Sequence, residues 1–363
     1  DRRALLTGLA AAAATPVSAQ VFSAIPRTGD EHRILNNLVT RMAARVGVSA
    51  KSVSNVVNGT GWVSDEVRAR ILDAIADLGY RPNLAARTLR GGHSGLIALV
   101  LPDLREPYFA EFASRFVSRA QRRALTVLIA QTGGDHATEV AMASGEGFPA
   151  LDGLVMSPLR LTAADLAGRP QTPPLILIGE EAEALVGPSI HHVGIDNVSS
   201  AAAATDYLLA RGRRRIAAVG RQDDGASATS QLRYQGYEEA LTRAGLAVDP
   251  ALIGVVDDFN RAAGSRAVQE LLDRGVAFDG LLCFSDTLAL GALYTLGSNR
   301  IPVPDQVEVM GFDGIEEGRF HVPGFATVNP GVDEAADIIL DIIAAPQTHP
   351  GAHHNVPYTI ISA

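Results

Sequence analysis

The stretch VGVSAKSVSNVVNG, residues 46–59, contains the only lysine of the 363-residue chain, Lys51. Apolar residues recur at intervals of four just before it, which indicates one face of a helix. These residues are Leu38, Met42 and Val46. Gly47 is placed to end this helix and Ser49 to cap a second one, whose inward side chains are Val53, Val56 and Val57. Two helices joined by a tight glycine-containing turn form a helix-turn-helix.

A third helix completes the small predicted core. Ser64 is expected to cap it and Gly79 to end it. Its inward-facing residues are Val67, Ile71, Ile75 and Leu78. This core leaves the second helix exposed around its first turn and a half, where the outward side chains are Ala50, Lys51, Ser54 and Asn55.

These outward residues are of the types that read DNA. In a helix-turn-helix, the N-terminal residues of the second helix face base edges in the major groove. Lysine donates to O6 and N7 of guanine, asparagine pairs with adenine, and alanine packs against a thymine methyl group. Serines bind phosphates and set the register. The predicted DNA-binding residues here are Ala50, Lys51, Ser52, Ser54, Asn55 and Asn58. The alternative is a solvated helix face with one isolated lysine.

The distribution of charge favours DNA binding by this segment. The whole chain has a net charge of −9. Residues 32–93 contain nine basic and four acidic residues, whereas residues 1–31 contain three of each sign, which leaves −14 for residues 94–363. A small basic module joined to a large acidic one is expected when only the small part meets a polyanion.

Residues 1–32 form an N-terminal extension with a composition of its own. The stretch DRRALLTGLAAAAATPVSAQ has a twin arginine, an apolar run and a small-residue end, as in an export signal. The apolar run is interrupted and falls short of the roughly 20 residues that a membrane span needs. A tag remnant, a misplaced start or a low-complexity extension is the favoured interpretation, because an exported protein would have no use for a helix-turn-helix.

Three segments carry a resemblance to the lac and galactose repressor family of bacterial transcription regulators. They are MAARVGVSAKSVSNVVNG (42–59), VSDEVRARILDAIADLGYRPNLAARTLR (63–90) and GLIALVLPDLREPYF (95–109). The resemblance covers about residues 38–363. It departs at residues 38–41, LVTR, where the family usually has a threonine and an acidic residue. The phosphate contact of that position is then lost, or supplied by Asn37 or Thr40.

The stretch RPNLAARTLRGG, residues 81–92, predicts a helix of about two turns, which is too short to be stable alone. The resemblance implies that this hinge helix pairs with its dimer mate in the minor groove. Leu89 would then be inserted between base steps, with Ala86 packed nearby. The alternative is a flexible linker. The expected bounds are residues 33–82 for the DNA-binding domain and 83–93 for the hinge.

Beyond the hinge, short apolar runs alternate with amphipathic segments of helical length. The runs are GLIALVL, LTVLIAQ, LDGLVMS, PLILIGE, RIAAVGR, DGLLCFS and VEVMGFD. Such alternation predicts an α/β fold with doubly wound parallel sheets. Ligands of such sheets bind at the carboxyl ends of the strands, where the sequence places Asp103, Ser157, Glu180, Ser285, Asp286 and Asp313. Several carboxylates in one cleft suit a neutral polyhydroxyl ligand such as a sugar, because each accepts two hydroxyl hydrogens.

The resemblance implies a periplasmic-binding-protein-like domain at residues 94–363, with two Rossmann-like subdomains joined by three crossovers. The expected bounds are 94–195 with 324–344 for the N-subdomain and 196–323 with 345–363 for the C-subdomain. By position, the resemblance also implies effector contacts at Arg233, Phe259, Ser285 and Asp313, and less directly at Glu180, Tyr108 and Phe109. Ser285 departs from the asparagine common in the family.

Structural roles are the alternatives for these residues. Asp286 is expected to cap a helix beginning at Thr287, and Phe259 could belong to the core. Cys283 cannot form an internal disulfide, because it is the only cysteine, and is expected to be buried in a strand. Two histidine pairs lie in contexts typical of loops and are expected to face solvent: His191–His192 and His353–His354.

Catalytic motifs are weak in this sequence. The stretch GEGFPA, residues 145–150, fits a loose dinucleotide-binding pattern, but no strand leads into it and Pro149 falls where the helix should form. There is no nucleophile elbow, phosphate-binding loop or zinc-protease motif. The sequence therefore predicts a protein that is not an enzyme and needs neither a metal nor a cofactor.

Two functions from different classes remain. The first is a cytoplasmic transcription regulator, a repressor that binds palindromic operator DNA as a homodimer or tetramer and responds to a small carbohydrate effector. The second is an exported solute-binding protein, which the sugar-binding fold and the signal-like start would both suit. Residues 38–90 favour the first, because a periplasmic receptor needs no helix-turn-helix.

Overall fold

The computed structural model describes residues 39–58, 61–78, 93–171, 173–179, 185–223, 227–345 and 351–362. The chain divides into two compact units, Asp1–Arg90 and Gly91–Ala363. The predicted hinge residues Ala86 and Leu89, the predicted cleft residue Glu180 and the N-terminal extension lie outside the described residues.

The first unit contains the predicted helix-turn-helix. Its helices are α1 (residues 39–46), α2 (Ala50–Asn58) and α3 (Asp65–Asp77). Their shared core contains the buried side chains Met42, Val46, Val53, Val56 and Ile71. The backbone amide of Ser52 donates to the hydroxyl of Ser49 at 3.1 Å, so Ser49 caps α2 as the sequence predicts. Ser64 does occupy the N-cap position of α3, but its side chain makes no capping hydrogen bond.

The second unit is built on two six-stranded sheets. The strands of sheet A are β1 (Leu96–Leu101), β2 (Thr126–Gln131), β3 (Gly153–Met156), β4 (Leu175–Ile178), β5 (Ile190–Gly194) and β11 (His353–Asn355). Those of sheet B are β6 (Ile216–Arg221), β7 (Ile253–Val255), β8 (Gly280–Cys283), β9 (Glu308–Phe312), β10 (Ala326–Asn329) and β12 (Thr359–Ile361). The strand orders are β11-β5-β4-β3-β1-β2 and β12-β10-β9-β8-β6-β7. Every pairing is parallel except the antiparallel pair β10-β12.

Helices connect the strands and cover the sheets. They are α4 (Pro107–Arg122), α5 (His136–Ala143), α6 (Ala163–Leu166), α7 (Asn197–Ala210), α8 (Ala228–Arg243), α9 (Arg261–Asp273), α10 (Asp286–Ser298), α11 (Glu316–Arg319) and α12 (Val332–Ala344). Alternate residues of β1 enter two different cores: Ile97 and Leu99 pack with α4 and α12, whereas Ala98 and Val100 pack with α5 and α6. A buried sheet of this kind explains the continuous apolar runs of the sequence.

The seven apolar runs all form strands, which confirms the predicted α/β fold. Cys283 ends β8 and is fully buried. The chain passes between the sheets three times, after β5, β10 and β11. Two segments of the predicted subdomain bounds are wrong, because β10 belongs to sheet B and β11 to sheet A. The pairing of β10 with β9 and of β11 with β5, rather than proximity in the chain to α12, decides their sheet.

The prediction that both histidine pairs face solvent is wrong. His191 and His192 lie in β5 and are 1% and 4% exposed, and His353 and His354 lie in the neighbouring strand β11. The Nδ1 atoms of His192 and His353 are 2.7 Å apart, so one ring donates to the other. The pairing gives the four imidazoles ring partners within sheet A, where His353 and His354 are half-buried. Among the described residues, no group of three or more histidines, cysteines or acids is placed to hold a metal ion.

Candidate DNA-binding face and ligand cleft

The predicted recognition face lies on α2, opposite its buried valines. Ala50 and Lys51 are exposed, and Ser52, Ser54 and Asn55 are partly exposed. Asn58 is the last residue of α2, and its side chain lies outside the described part of the structure. The three-helix core therefore fixes the orientation of α2. In this orientation, the first turns of α2 are available to a ligand.

An exposed tryptophan, which no sequence pattern singles out, lies beside this face. Trp62 precedes α3 and is 88% exposed, which is unusual for so large an apolar side chain. Its neighbour Gly61 has a φ of +70°, and a Cβ atom on that glycine would come within 2.6 Å of Nδ2 of Asn55. The turn that carries Trp62 therefore packs directly against a predicted base-reading residue.

A cleft of about 650 Å³ opens at the carboxyl ends of strands from both sheets. This is the position expected for a ligand site in open α/β sheets. The structure brings eight of the predicted effector residues to its wall: Asp103, Tyr108, Phe109, Ser157, Arg233, Phe259, Ser285 and Asp313. Phe259 also packs against the core of sheet B, so one side chain both contributes to that core and lines the cleft.

Arg233 projects from α8 and is the most constrained of these side chains. Its Nε donates to Oδ1 of Asn197 at 3.0 Å, and one terminal nitrogen donates to the carbonyl oxygen of Phe284. The same nitrogen lies 3.8 Å from Oδ1 of Asp313, and the guanidinium carbon lies 4.0 Å from the centre of the Phe312 ring. With only 8% of Arg233 exposed, the contacts fix the guanidinium at the cleft wall before any ligand arrives.

The predicted capping role of Asp286 is wrong. The hydroxyl of Ser285 accepts the amide of Leu288 at 3.1 Å, so Ser285 caps α10. Asp286 is instead completely buried and accepts hydrogen bonds from the hydroxyl of Thr327, at 2.6 Å, and from the amide of Ile315, at 3.0 Å. Burial raises the pKa of Asp286 well above its usual value, and the negative charge of Asp313 raises it further. Asp286 thus fastens β10 and the loop after β9 behind the cleft.

Two cleft residues were missed by sequence reasoning. Asn197 begins α7, three residues after the end of the histidine-containing strand β5, whose sequence is typical of a loop. Glu106 occupies the N-cap position of α4, and its carboxyl accepts a hydrogen bond from the hydroxyl of Thr287 in the first turn of α10. An acidic residue before a proline, just after a strand, was the available signal for Glu106.

This chain combines a helix-turn-helix unit with a two-sheet unit that encloses a ligand-sized cleft. That combination defines a class of ligand-responsive DNA-binding proteins. Residues 41–83 match the model of the bacterial regulatory proteins of the lacI family, and residues 205–361 match a periplasmic binding protein-like domain. The HTH-type transcriptional repressor CytR of Escherichia coli is 30% identical over 288 residues, 79% of this chain and 83% of that protein. The chain belongs to the lacI family of DNA-binding transcription regulators.

Solved structures agree with this assignment. A structure described as a transcriptional regulator of the LacI family from Sanguibacter keddieii is 35% identical, with a TM-score of 0.66, and the match covers 74% of this chain and 97% of that one. A complex of the transcriptional regulator CelR with cellobiose is 26% identical, with a TM-score of 0.62, and the match covers 89% and 98% of the two chains. None of the helices described for this chain is both long and apolar enough to cross a membrane.

Proposed function

We propose that this chain is a cytoplasmic repressor that binds a palindromic operator as a homodimer and is controlled by a neutral carbohydrate in the cleft. The observation that carries the proposal is the presence in one chain of an exposed, base-reading type of helix face and a preformed polar cleft. Lys51 and Asn55 are the proposed readers of bases, and Arg233 and Asp313 are the proposed central contacts of the effector.

The chemistry of the cleft supports a neutral ligand. Four arginines line the cleft: Arg160 and three that form ion pairs within the chain, namely Arg105 with Asp103, Arg233 with Asp313 and Arg261 with Glu317. A strongly charged ligand would have to compete with these pairs, whereas hydroxyl groups only add hydrogen bonds to them. The rings of Tyr108 and Phe109, 5.3 Å apart, offer apolar surface to the faces of a sugar ring. The cellobiose bound to the related CelR structure supports the same class of ligand.

A thermal-shift screen of neutral sugars, sugar acids and sugar phosphates tests this choice. A ligand at one hundred times its dissociation constant adds about 2.7 kcal/mol to the free energy of unfolding. We expect stabilisation by a neutral sugar and not by its acid or phosphate counterpart. Stabilisation by the charged compounds alone would contradict the proposed ligand class.

The competing function is an exported solute-binding protein. The match of residues 41–83 to the lacI family argues against it, because a solute receptor has no use for a DNA-binding unit. Fractionation of cells followed by immunoblotting separates the two functions. We expect the chain in the cytoplasmic fraction, and recovery mainly in the periplasm would contradict the repressor.

The fluorescence of Trp62 provides a direct test of the DNA-binding face, because it is the only tryptophan of the chain. If α2 enters the major groove, the turn packed on Asn55 approaches the sugar-phosphate backbone. We expect a duplex selected from randomised DNA to protect Trp62 from quenching by acrylamide, a neutral quencher that DNA does not repel. Adding salt until the complex dissociates should restore quenching.

The gel-shift assay run on the same mixtures supplies the control. If acrylamide quenches Trp62 equally well when the gel shift shows that all of the protein is bound to DNA, the DNA interface lies away from α2. Protection that depends on protein concentration without DNA would instead indicate that Trp62 lies between two copies of the chain.

A further inference from the structure

Two carboxylates of α4 join the halves of the second unit across the cleft. Glu106, at the N-cap of α4, accepts a hydrogen bond from the hydroxyl of Thr287 in α10. One turn further along α4, Oε1 of Glu111 accepts the backbone amide of Glu316 in α11 at 2.7 Å. Helix α4 packs on sheet A, whereas α10 and α11 follow strands of sheet B. The two carboxylates therefore bridge the half built on sheet A and the half built on sheet B.

Glu106 differs from Glu111 because it lines the cleft and faces other acids. Asp313, which follows β9, and Asp258, which precedes α9, both oppose its negative charge, while Arg261 of α9 favours it. The neighbouring Arg105 is engaged by Asp103 at 2.8 Å. Burial raises the pKa of Glu106 to about 7, even though the bond from Thr287 lowers it. The closed cleft therefore favours the protonated carboxyl group, which still accepts the hydroxyl of Thr287 through its carbonyl oxygen.

We propose that Glu106 is a positioning residue of the cleft, a latch whose hydrogen bond with Thr287 holds the two halves together and makes cleft closure proton-dependent. Opening the cleft hydrates the carboxyl group and removes it from Asp313 and Asp258. Closing the cleft with an ionised Glu106 buries a carboxylate beside like charges, which is unfavourable. Protonation at neutral to mildly acid pH therefore favours closure. This latch rests on the proposed function in one respect, namely that closure of the cleft is the movement that regulates the protein.

The size of the proton effect follows from linkage. A pKa of about 7 in the closed form, and an ordinary value near 4.5 in the open form, favour proton uptake on closing. Closure is therefore favoured as the pH falls through 7 and is lost as it rises above 7. Between pH 8 and pH 6 the ratio of closed to open molecules should rise about ten-fold.

Spin labels on the two halves can measure this ratio in the full chain. Ala137 in α5 and Ala262 in α9 are exposed and lie near helix starts at the carboxyl ends of strands, so labelled cysteines at both positions flank the cleft. The native Cys283 is fully buried and should not react with the label. Mixing the labelled protein with an excess of unlabelled chain makes pairs of labelled chains rare, so the measured distances are those between two labels on one molecule. The measurement is made without DNA and without carbohydrate.

We expect the short-distance population to grow about ten-fold relative to the long-distance one from pH 8 to pH 6 in the wild type. Glu106→Gln keeps an acceptor for Thr287 without a titrating group, so its distances should be the same at both pH values. Thr287→Val removes the donor and should shift the population towards the long distance at pH 6. Glu146→Gln, a matched change at an exposed carboxylate of the sheet A half, should keep the wild-type profile.

A wild-type distance distribution that does not change with pH would overturn the latch, as would a Glu106→Gln variant with the wild-type pH dependence. Thermal melting of each variant identifies any that fails to fold, and Thr287→Val then tests the latch independently of Glu106. Since DNA is absent, failure of the latch leaves the proposed repressor untouched. Conversely, if the unlabelled wild type bound no DNA, that result would count against the repressor and not against the latch.

Discussion

Arg233→Ala should abolish the response of DNA binding to carbohydrate and lower the free energy of unfolding by about 3–5 kcal/mol. Arg233 is 8% exposed, and its guanidinium contacts Asn197, Phe284 and Asp313. Removing it deprives the carboxylate of Asp313 of its guanidinium partner and the carbonyl oxygen of Phe284 of a charged donor beside the cleft. Because Arg233 lies outside the DNA-binding unit, operator affinity without carbohydrate should be nearly unchanged at temperatures where the variant is folded.

Chemical denaturation and a gel-shift titration with and without the stabilising carbohydrate measure the two effects. Arg243→Ala is the matched control, because Arg243 lies on the same helix and pairs with Asp206 at 2.6 Å, but is 57% exposed. An exposed pair of this kind contributes about 0–1 kcal/mol, so the control should keep both stability and response. A normal carbohydrate response in Arg233→Ala would remove Arg233 from the effector site.

Lys51→Ala should lose discrimination at one symmetric pair of operator positions, by about 1–3 kcal/mol. Lys51 is exposed at the start of α2, where side chains of a recognition helix face base edges. As a phosphate contact, it would instead weaken binding to every sequence alike and reduce the salt slope by about one unit. A selection from randomised DNA, run with wild type and variant, distinguishes the two roles.

The preference should relax at one position of each half-site and hold elsewhere, because Asn55 and Ala50 remain in place. Arg45→Ala serves as a control, since Arg45 pairs with Asp77 of α3 at 2.8 Å and is expected to leave the sequence profile unchanged. A uniformly weaker profile of unchanged shape in Lys51→Ala would make Lys51 a backbone contact and leave Asn55 as the chief reader.

The sequence was sufficient wherever a local pattern determines the structure. Continuous apolar runs predicted seven strands, of which six are buried and β2 is largely exposed. Ser49 followed by the valines of α2 predicted the start and inner face of a helix. The wall of the cleft could also be anticipated, because parallel strands place their carboxyl ends at one edge. Asp103, Ser157 and Asp313 follow from this rule alone.

The remaining features depend on contacts between residues that are far apart in the chain. The strand IHHVG has a polar centre, and its place between β4 and β11, where His353 and His354 lie beside its own histidines, makes it a buried strand. Ser285 and Asp286 are both good capping residues, and the partner Thr327, 41 residues away, decides that Asp286 is buried. The role of Glu106 depends on Thr287, 181 residues away, which no local pattern can indicate.

The central claim is that the cleft and the DNA-binding unit are thermodynamically coupled in one regulator. Calorimetry can measure the dissociation constant of the stabilising carbohydrate with and without the selected duplex, and a gel-shift titration can measure that of the duplex with and without the carbohydrate. Linkage requires both ratios to be the same, and we expect a factor of about 5–150. A ratio of one in both directions, with both ligands bound, would contradict the claim, because the cleft would then bind its ligand without regulating DNA.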